Sequence, residues 1–284
     1  MTNDITVIIT LYKTNEDKIK LLSQYRNFKV IIFEQAVKKN YKNKIKKISG
    51  IKFDYYFSNH NIGLSRSSNF LLSKVKTKYF LFTQPDVIIN EKSIKLLQKG
   101  MSHKKNIIFA GPRFIKNNQL KNKQKIKYLT KKKLDAACML CNTSEIKKIG
   151  FFDEDFFLYW EDIFLMRKIN QFEYKMVQVA NSFANHQSGH SSKKNLSVNL
   201  IRNLNFKYGE YLFEYKINKL RKLKIIRQFL QSLLFIIPNF FLLRKNKALI
   251  NVSNLLGILK FIKFYLKNYN YIFLKNFLIW DNNL

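Results

Sequence analysis

The chain has 284 residues, 46% of them hydrophobic, and a formal net charge of +34. That length and apolar share allow a sizeable core, in one large domain or one domain with an appendage. The charge raises nucleic acid or an anionic membrane as partners. Yet the excess is almost all lysine, with only eight arginines beside abundant Ile, Asn and Phe. A nucleic-acid reader is expected to use arginine's planar fork more heavily. The charge is therefore read as AT-rich coding bias plus a membrane-facing contribution, and no nucleic acid is expected.

The opening M-T-N-D-I-T-V-I-I-T lacks the charged start and long apolar core of a signal peptide. It runs straight into a β-branched strand at 5–11, and a cytoplasmic chain is expected. Thr14, with Asp17 three residues on, offers a helix cap. Residues 29–33 make a second strand ending at Glu34, and a lysine-rich helix or loop covers 36–49. A third strand lies at 51–57. The turn S-N-H-N-I-G-L leads into a helix from about Ser65 to Val75. Residues 78–83 form a fourth strand, stopped by Q-P-D. Asn90 caps another helix, with Gly100 as its end signal, and 106–110 is a fifth strand. Strand alternating with helix at this spacing predicts βαβ units and a doubly wound, mostly parallel α/β sheet.

The basic stretch 115–133 breaks the rhythm and reads as a solvated loop. A strand follows at 134–141, then a short helix capped by Asn142. Cys138 and Cys141, the only cysteines, fall in that strand. At three residues' separation they point to opposite faces, and no second pair completes a zinc site. They read as buried structural thiols of a reducing compartment. A further strand at 174–180 and a loop from Asn181 to Ser192 close the α/β portion. Residues 1–194 are expected as the catalytic domain and 195–284 as a basic amphipathic helical region. Within the latter, 225–243 comes close to spanning length, and an interfacial helix fits it better.

Residues 149–168, I-G-F-F-D-E-D-F-F-L-Y-W-E-D-I-F-L-M-R-K, set five carboxylates among large apolar side chains. A carboxylate in such surroundings is costly unless paired or used, which suggests a pocket floor. Glu161 and Asp162 equally suit a first helical turn, where the dipole favours acids. Ligands of open parallel sheets bind at the carboxyl ends of the strands, here Thr10 to Tyr12, Glu34, the 58–69 turn and Gln84 to Asp86. Asp86 suits either turn chemistry or a hard cation. Asn61, Gly63, Arg66 and Asn69 lie in a small-residue turn opening a helix, which suits phosphate or a plain helix start. His186, with His190 four on, is a candidate ligand in what reads as a loop.

Taken in order, these stretches resemble the large family 2 of inverting glycosyltransferases with the GT-A fold, over residues 5–192. V-I-I-T-L-Y resembles its opening strand, N-I-G-L-S-R-S-S-N its N-x-G-x-x-x-x-x-N turn, and Q-P-D-V its N-P-D-V or D-x-D. The run L-D-A-A-C-M-L-C-N through F-D-E-D-F-F-L-Y-W-E-D resembles the family's long signature, and H-Q-S-G-H-S its H-x-x-G-x-S. The closest likeness is to rhamnosyltransferase-like members that build bacterial surface polysaccharides. The resemblance implies that Asp86 and His186 hold Mg2+ or Mn2+ on a nucleotide-diphosphate sugar. It implies Asp162 as general base, with Glu161 beside it. Thr10, Tyr12, Glu34, Asn61, Gly63, Arg66, Asn69 and Gln84 would lie along the donor. Asp153, Tyr159 and Trp160 would meet a saccharide or lipid-linked saccharide acceptor at an anionic membrane surface, on the inner face of the cytoplasmic membrane. Glu34–Gln35 for Asp–Asn, Gln84 in the metal motif and Phe164 in E-D-x-D depart from the family pattern. A catalytically inactive nucleotide-sugar binder and a basic nucleic-acid binder are the alternatives.

Overall fold

The computed structural model describes residues 4–115, 127–186 and 196–281, with side chains through Asn268. The chain divides into two compact units. One comprises residues 1–157 and 161–194, the other 158–160 and 195–284.

In the first unit, β1 (Ile5–Tyr12), β2 (Lys29–Gln35), β3 (Asp54–Ser58) and β4 (Tyr79–Thr83) pair in parallel, in the order β3-β2-β1-β4. They are joined by α1 (Glu16–Lys20) with a 3-10 turn behind it, α2 (Lys42–Ser49) and α3 (Leu64–Lys74). Both faces of this sheet are covered, which is why its strands read as continuous apolar runs. Ile5, Val7, Ile9 and Leu11 enter one core layer and Ile8 the other, all at 0% exposure.

Beyond β4 the sheet becomes mixed. The elements in chain order are β5 (Val87–Ile89), α4 (Glu91–Met101), β6 (Ile107–Phe114), β7 (Tyr128–Lys131), β8 (Cys138–Asn142), α5 (Thr143–Ile149), α6 (Glu161–Gln171) and β9 (Lys175–His186). β8 runs antiparallel between β4 and β6, while β9 is parallel to β6 and antiparallel to β5 and β7. Cys138 and Cys141 are free and buried in opposite core layers, as their spacing requires.

Asn90 and Asn142 cap their helices, accepting from Ser93 N at 2.8 Å and Glu145 N at 3.3 Å. Four expectations need correction. Thr14 is not a cap: Asn15 holds that position without a side-chain capping bond, and Thr14 Oγ1 instead accepts from Tyr12 N at 3.2 Å. Gly100 does not end its helix. It lies within α4, where a Cβ would meet Val179 Cγ2 at 2.7 Å, so the glycine permits close packing on β9. The basic stretch is not all loop, since β7 forms there by pairing with β9. Residues 181–186 are strand, because β9 continues to His186 along β5 and β6.

The second unit consists of α7 (Leu196–Lys216), α8 (Lys222–Phe241) and α9 (Lys245–Asp281). α8 runs on through Pro238. Among its buried residues are Asn205, Ser232, Asn239 and Ser253, beside Tyr211, Leu212, Ile258 and Phe261. Glu210 pairs with Lys207 at 2.7 Å and with Lys224, and Glu214 pairs with Lys224 at 2.7 Å and Arg221 at 3.0 Å. Gly257 lets α9 approach α7, since a Cβ there would stand 2.6 Å from Leu204 O. One helical stretch among the described residues is long and apolar enough to cross a membrane, Lys245–Asn268 rather than 225–243, and 22% of its window is buried.

Candidate active site

The continuation of β9 builds the first part of the site. Its antiparallel register with β5 sets His186 opposite Val87, and Asp86 is the residue before. Asp86 Oδ1 and His186 Nε2 face each other at 3.6 Å, with the carboxylate 1% exposed. Both atoms are buried, and apart from each other neither has a partner within hydrogen-bond distance. A buried polar atom without a hydrogen bond costs about 1–3 kcal/mol, a cost that the mutual ion pair offsets when His186 is protonated. A carboxylate oxygen and an imidazole nitrogen that converge in this way fit a shared divalent cation. Among the described residues no group of three or more His, Cys, Asp or Glu could hold a metal. A cation here would complete its shell with substrate oxygens or water. Burial alone would lower the His186 pKa, but the neighbouring Asp86 and Asp135 carboxylates raise it above the ordinary value.

The second part is the start of α6. Tyr159 (φ 69°) and Trp160 (φ 72°) are both left-handed and directly precede Glu161. Such conformations cost on the order of 1–3 kcal/mol each and gather at functional sites. Glu161 is 5% exposed, with Oε2 buried and unpartnered. Burial, reinforced by the Asp162 charge, pushes its carboxyl up to about 8. Asp162 is half-buried, and its Oδ1 accepts from Ile163 N at 2.8 Å. Burial raises its pKa against the opposing pull of the Ile163 and Asp162 amides and Lys133, while the Asp135 charge adds to the rise.

Asp135, which the sequence reading did not single out, is a further acid of this region. Its charge acts on both His186 and Asp162. It is exposed, and its Oδ1 accepts from Ala137 N at 2.9 Å. The available signal was an acid heading the apolar strand A-A-C-M-L, obscured by the lysines before it.

The residues expected along a donor lie on β1, β2, α3 and their turns. Thr10 Oγ1 is 3.2 Å from Ser67 Oγ, and Tyr12 ends β1. Glu34 accepts from Tyr55 OH at 2.5 Å. Burial raises its pKa, opposed by Tyr55 and Lys44. Gln35 Oε1 anchors the following turn through Ile62 N at 2.9 Å, and Asn61 Oδ1 accepts from Gly63 N at 3.1 Å. Gly63 (φ 88°) is required by the protein itself: a Cβ would stand 2.6 Å from Phe157 O, which Leu64 N reaches at 2.8 Å. Arg66 is exposed and 3.7 Å from Glu154, a surface ion pair of small energy. Asn69 is occupied with the F-D-E turn. It donates to Phe152 O at 2.9 Å and Glu154 Oε1 at 3.0 Å, and accepts from Phe152 N at 3.1 Å. Gln84 donates its backbone N–H to Ala137 O at 3.0 Å.

On the expected acceptor side, Asp153 Oδ1 accepts from Asp155 N at 3.0 Å. Tyr159 and Trp160 belong to the second unit. Trp160 Nε1 donates to Phe206 O at 3.0 Å, and its ring centroid lies 5.4 Å from that of Phe213. Tyr159 meets Phe206 edge-on at 5.8 Å. Both rings are thus engaged with α7. Gly189, His190 and the rest of H-x-x-G-x-S beyond His186 lie outside the described residues.

A sequence profile described as "Glycosyl transferase family 2" matches residues 16–179. No curated protein matches the chain in sequence. Among solved structures, the mannosyltransferase PcManGT from Pyrobaculum calidifontis, in complex with GDP-Man and Mn2+, is similar with a TM-score of 0.55 at 10% identity. That match covers 77% of this chain and 65% of the other. GalNAc-T7 with UDP, GalNAc and Mn2+ is similar with a TM-score of 0.51 at 10% identity, over 73% of this chain and 47% of that one. S. aureus TarS 1-349 in complex with UDP-GlcNAc is similar with a TM-score of 0.51 at 14% identity, over 75% and 66%. The chain therefore spans about half to two thirds of the length of these structures, which share its GT-A fold.

Proposed function

The chain belongs to glycosyl transferase family 2, and from that premise we propose that it is an inverting glycosyltransferase. It moves a sugar from a nucleotide-diphosphate donor to a saccharide acceptor, lipid-linked and handled at the inner face of the cytoplasmic membrane. Bacterial surface-polysaccharide synthesis, in the manner of the rhamnosyltransferase-like branch, is the setting this reading assigns. The observation that carries it is the buried Asp86–His186 pair, whose carboxylate and imidazole converge at 3.6 Å. The bound GDP-Man and UDP-GlcNAc of the structural neighbours support a nucleotide-sugar donor.

Mg2+ or Mn2+ held by Asp86 and His186 would offset the charge that develops on the leaving diphosphate. Glu34, steadied by Tyr55, faces the nucleotide base, with Thr10, Tyr12 and the Asn61–Arg66 turn along the donor. Asp162 accepts the proton of the acceptor hydroxyl as that oxygen attacks the anomeric carbon. The bond to the diphosphate breaks on the opposite face, so one displacement inverts the centre. A single base suffices, unlike the paired carboxylates of glycoside hydrolysis. The raised pKa of Asp162 makes it a stronger base than a solvated aspartate. Burial and the neighbouring Asp162 charge favour the protonated form of Glu161.

The test is a thermal-shift panel of UDP-, GDP-, dTDP- and CDP-sugars with and without Mn2+ and Mg2+. At least one donor should stabilise the chain in a cation-dependent way, and Asp86→Ala should remove that dependence. A flat panel across all donors and both cations would overturn the reading.

A further inference from the structure

α8 is amphipathic the wrong way round for a helix in water. Leu223, Ile226, Leu230, Leu234, Ile237 and Phe241 recur at spacings of three and four and are all 50–82% exposed. They form one stripe about 27 Å long, at ~1.5 Å per residue. The opposite face carries Ile225, Ser232 and Asn239, seven residues apart and each no more than 9% exposed. A helix of a soluble bundle places its apolar stripe inward and its amides and hydroxyls outward. Exposed apolar area of this extent marks a surface that something covers.

Charge identifies what covers it. Residues 221–247 contain seven Lys and Arg and no Asp or Glu. The exposed cations sit at the two ends of the stripe: Arg221, Lys222 and Arg227 at its head, and Arg244, Lys245 and Lys247 just past its foot, with Leu242 and Leu243 exposed between. Lys224 is instead held by Glu210 and Glu214. At the head, Arg221, Lys222, Leu223, Lys224 and Arg227 line an open cavity of about 610 Å³. Arg221 and Lys224 already face Glu214 there. A second copy of this chain would bring like charge against like, at +34 per molecule. An anionic phospholipid surface instead offers acyl chains to the stripe and phosphates to both cationic ends at once. The opposite face of α8, with Ile225, Ser232 and Asn239 buried, is packed within the unit, so lipid meets the helix along one side only.

We infer that α8 lies flat on an anionic bilayer, its Leu223–Phe241 stripe at the acyl boundary and its two cationic ends at headgroup level. This rests on the membrane placement proposed above and names the element and face that make it. The experiment is flotation of the full chain with phosphatidylglycerol–phosphatidylcholine vesicles and with pure phosphatidylcholine vesicles, in low and high salt. The chain should float with the anionic vesicles, less so in high salt. Leu230→Glu/Leu234→Glu/Ile237→Glu should lower binding at least tenfold while its circular dichroism and donor-induced thermal shift stay unchanged. Lys222→Glu/Arg227→Glu should lower binding to the anionic vesicles alone. If the α8 variant still floats and Leu256→Glu/Leu259→Glu in α9 does not, the membrane placement stands and its assignment to α8 is overturned. A chain that ignores both vesicle types overturns both while leaving the transferase reading intact. A stable dimer without lipid that the α8 variant converts to monomer would make a second copy the occupant and overturn the inference.

Discussion

The strands of the α/β unit and helix α8 of the helical unit place their apolar sides differently. In the α/β unit, strand after strand is sealed, and its large apolar side chains exposed to solvent are Phe57, Ile88 and Phe172 among the described residues. In the helical unit, exposed leucine, isoleucine and phenylalanine run the length of α8, while Asn205, Ser232, Asn239 and Ser253 are buried beside Tyr211, Leu212, Ile258 and Phe261. The contrast teaches that hydrophobic periodicity specifies an element and not the medium its face meets. The first unit buries the apolar faces of its strands; α8 of the second presents an apolar stripe outward.

The largest test of that division concerns where the chemistry resides. Asp162→Asn should reduce donor-to-acceptor turnover by about 10²–10⁴-fold, while the donor-induced thermal shift persists. A variant that retains full turnover would remove Asp162 from its role. The next compares phenylalanines of the two units. Phe109, 0% exposed, should cost about 3–5 kcal/mol when changed to Ala, measured by denaturant unfolding. Phe241, 77% exposed, should cost no more than about 0.5 kcal/mol in the absence of lipid. Equal costs would erase the contrast.

A third test is a pH profile. The Glu161 carboxyl is held at about 8 in the folded chain against an ordinary 4.5. The folded state therefore binds this proton more tightly than the unfolded state. Its stabilising contribution is complete below the ordinary value and is lost as pH rises through about 8. Glu161→Gln should thus gain stability relative to the parent, by about 1–4 kcal/mol from about pH 5 to about pH 9, at ~1.36 kcal/mol per pKa unit. A constant difference across that range would show that the side chain reaches solvent. The smallest effect is in the helical unit. Gly257→Ala should cost about 1–3 kcal/mol, since backbone at 2.6 Å cannot give way. A neutral result would mean that α7 and α9 are loosely joined.

Much of the α/β unit was legible in the sequence because each signal there is local. The run I-T-V-I-I, the Asn90 and Asn142 caps and the Cys138/Cys141 spacing each carry their meaning within a few residues. Misreadings came where a partner decides. Gly100 looked like a helix end because Val179, which needs its missing methyl, is far away in number. N-S-F-A-N-H looked like loop because its polar residues gave no hint of the β5 register that turns it into strand. That register brings His186 to Asp86, so the central pair of the site was visible as two residues and invisible as a contact. Asp135 was missed for the same reason: its importance lies in the two groups its charge reaches. In α8 the period was readable, and the interfacial helix expected at 225–243 matches its exposed apolar stripe.

The two native thiols have a practical consequence. Cys138 and Cys141 are both 0% exposed. Burial pushes Cys138 up to about 12 and Cys141 well above its ordinary value, so neither supplies thiolate at neutral pH. The natural chain should be silent toward maleimide reagents. One cysteine introduced on α8 would then be a unique address for a fluorophore or spin label, and its depth below the phosphates could be read without first stripping the protein of its own sulfur.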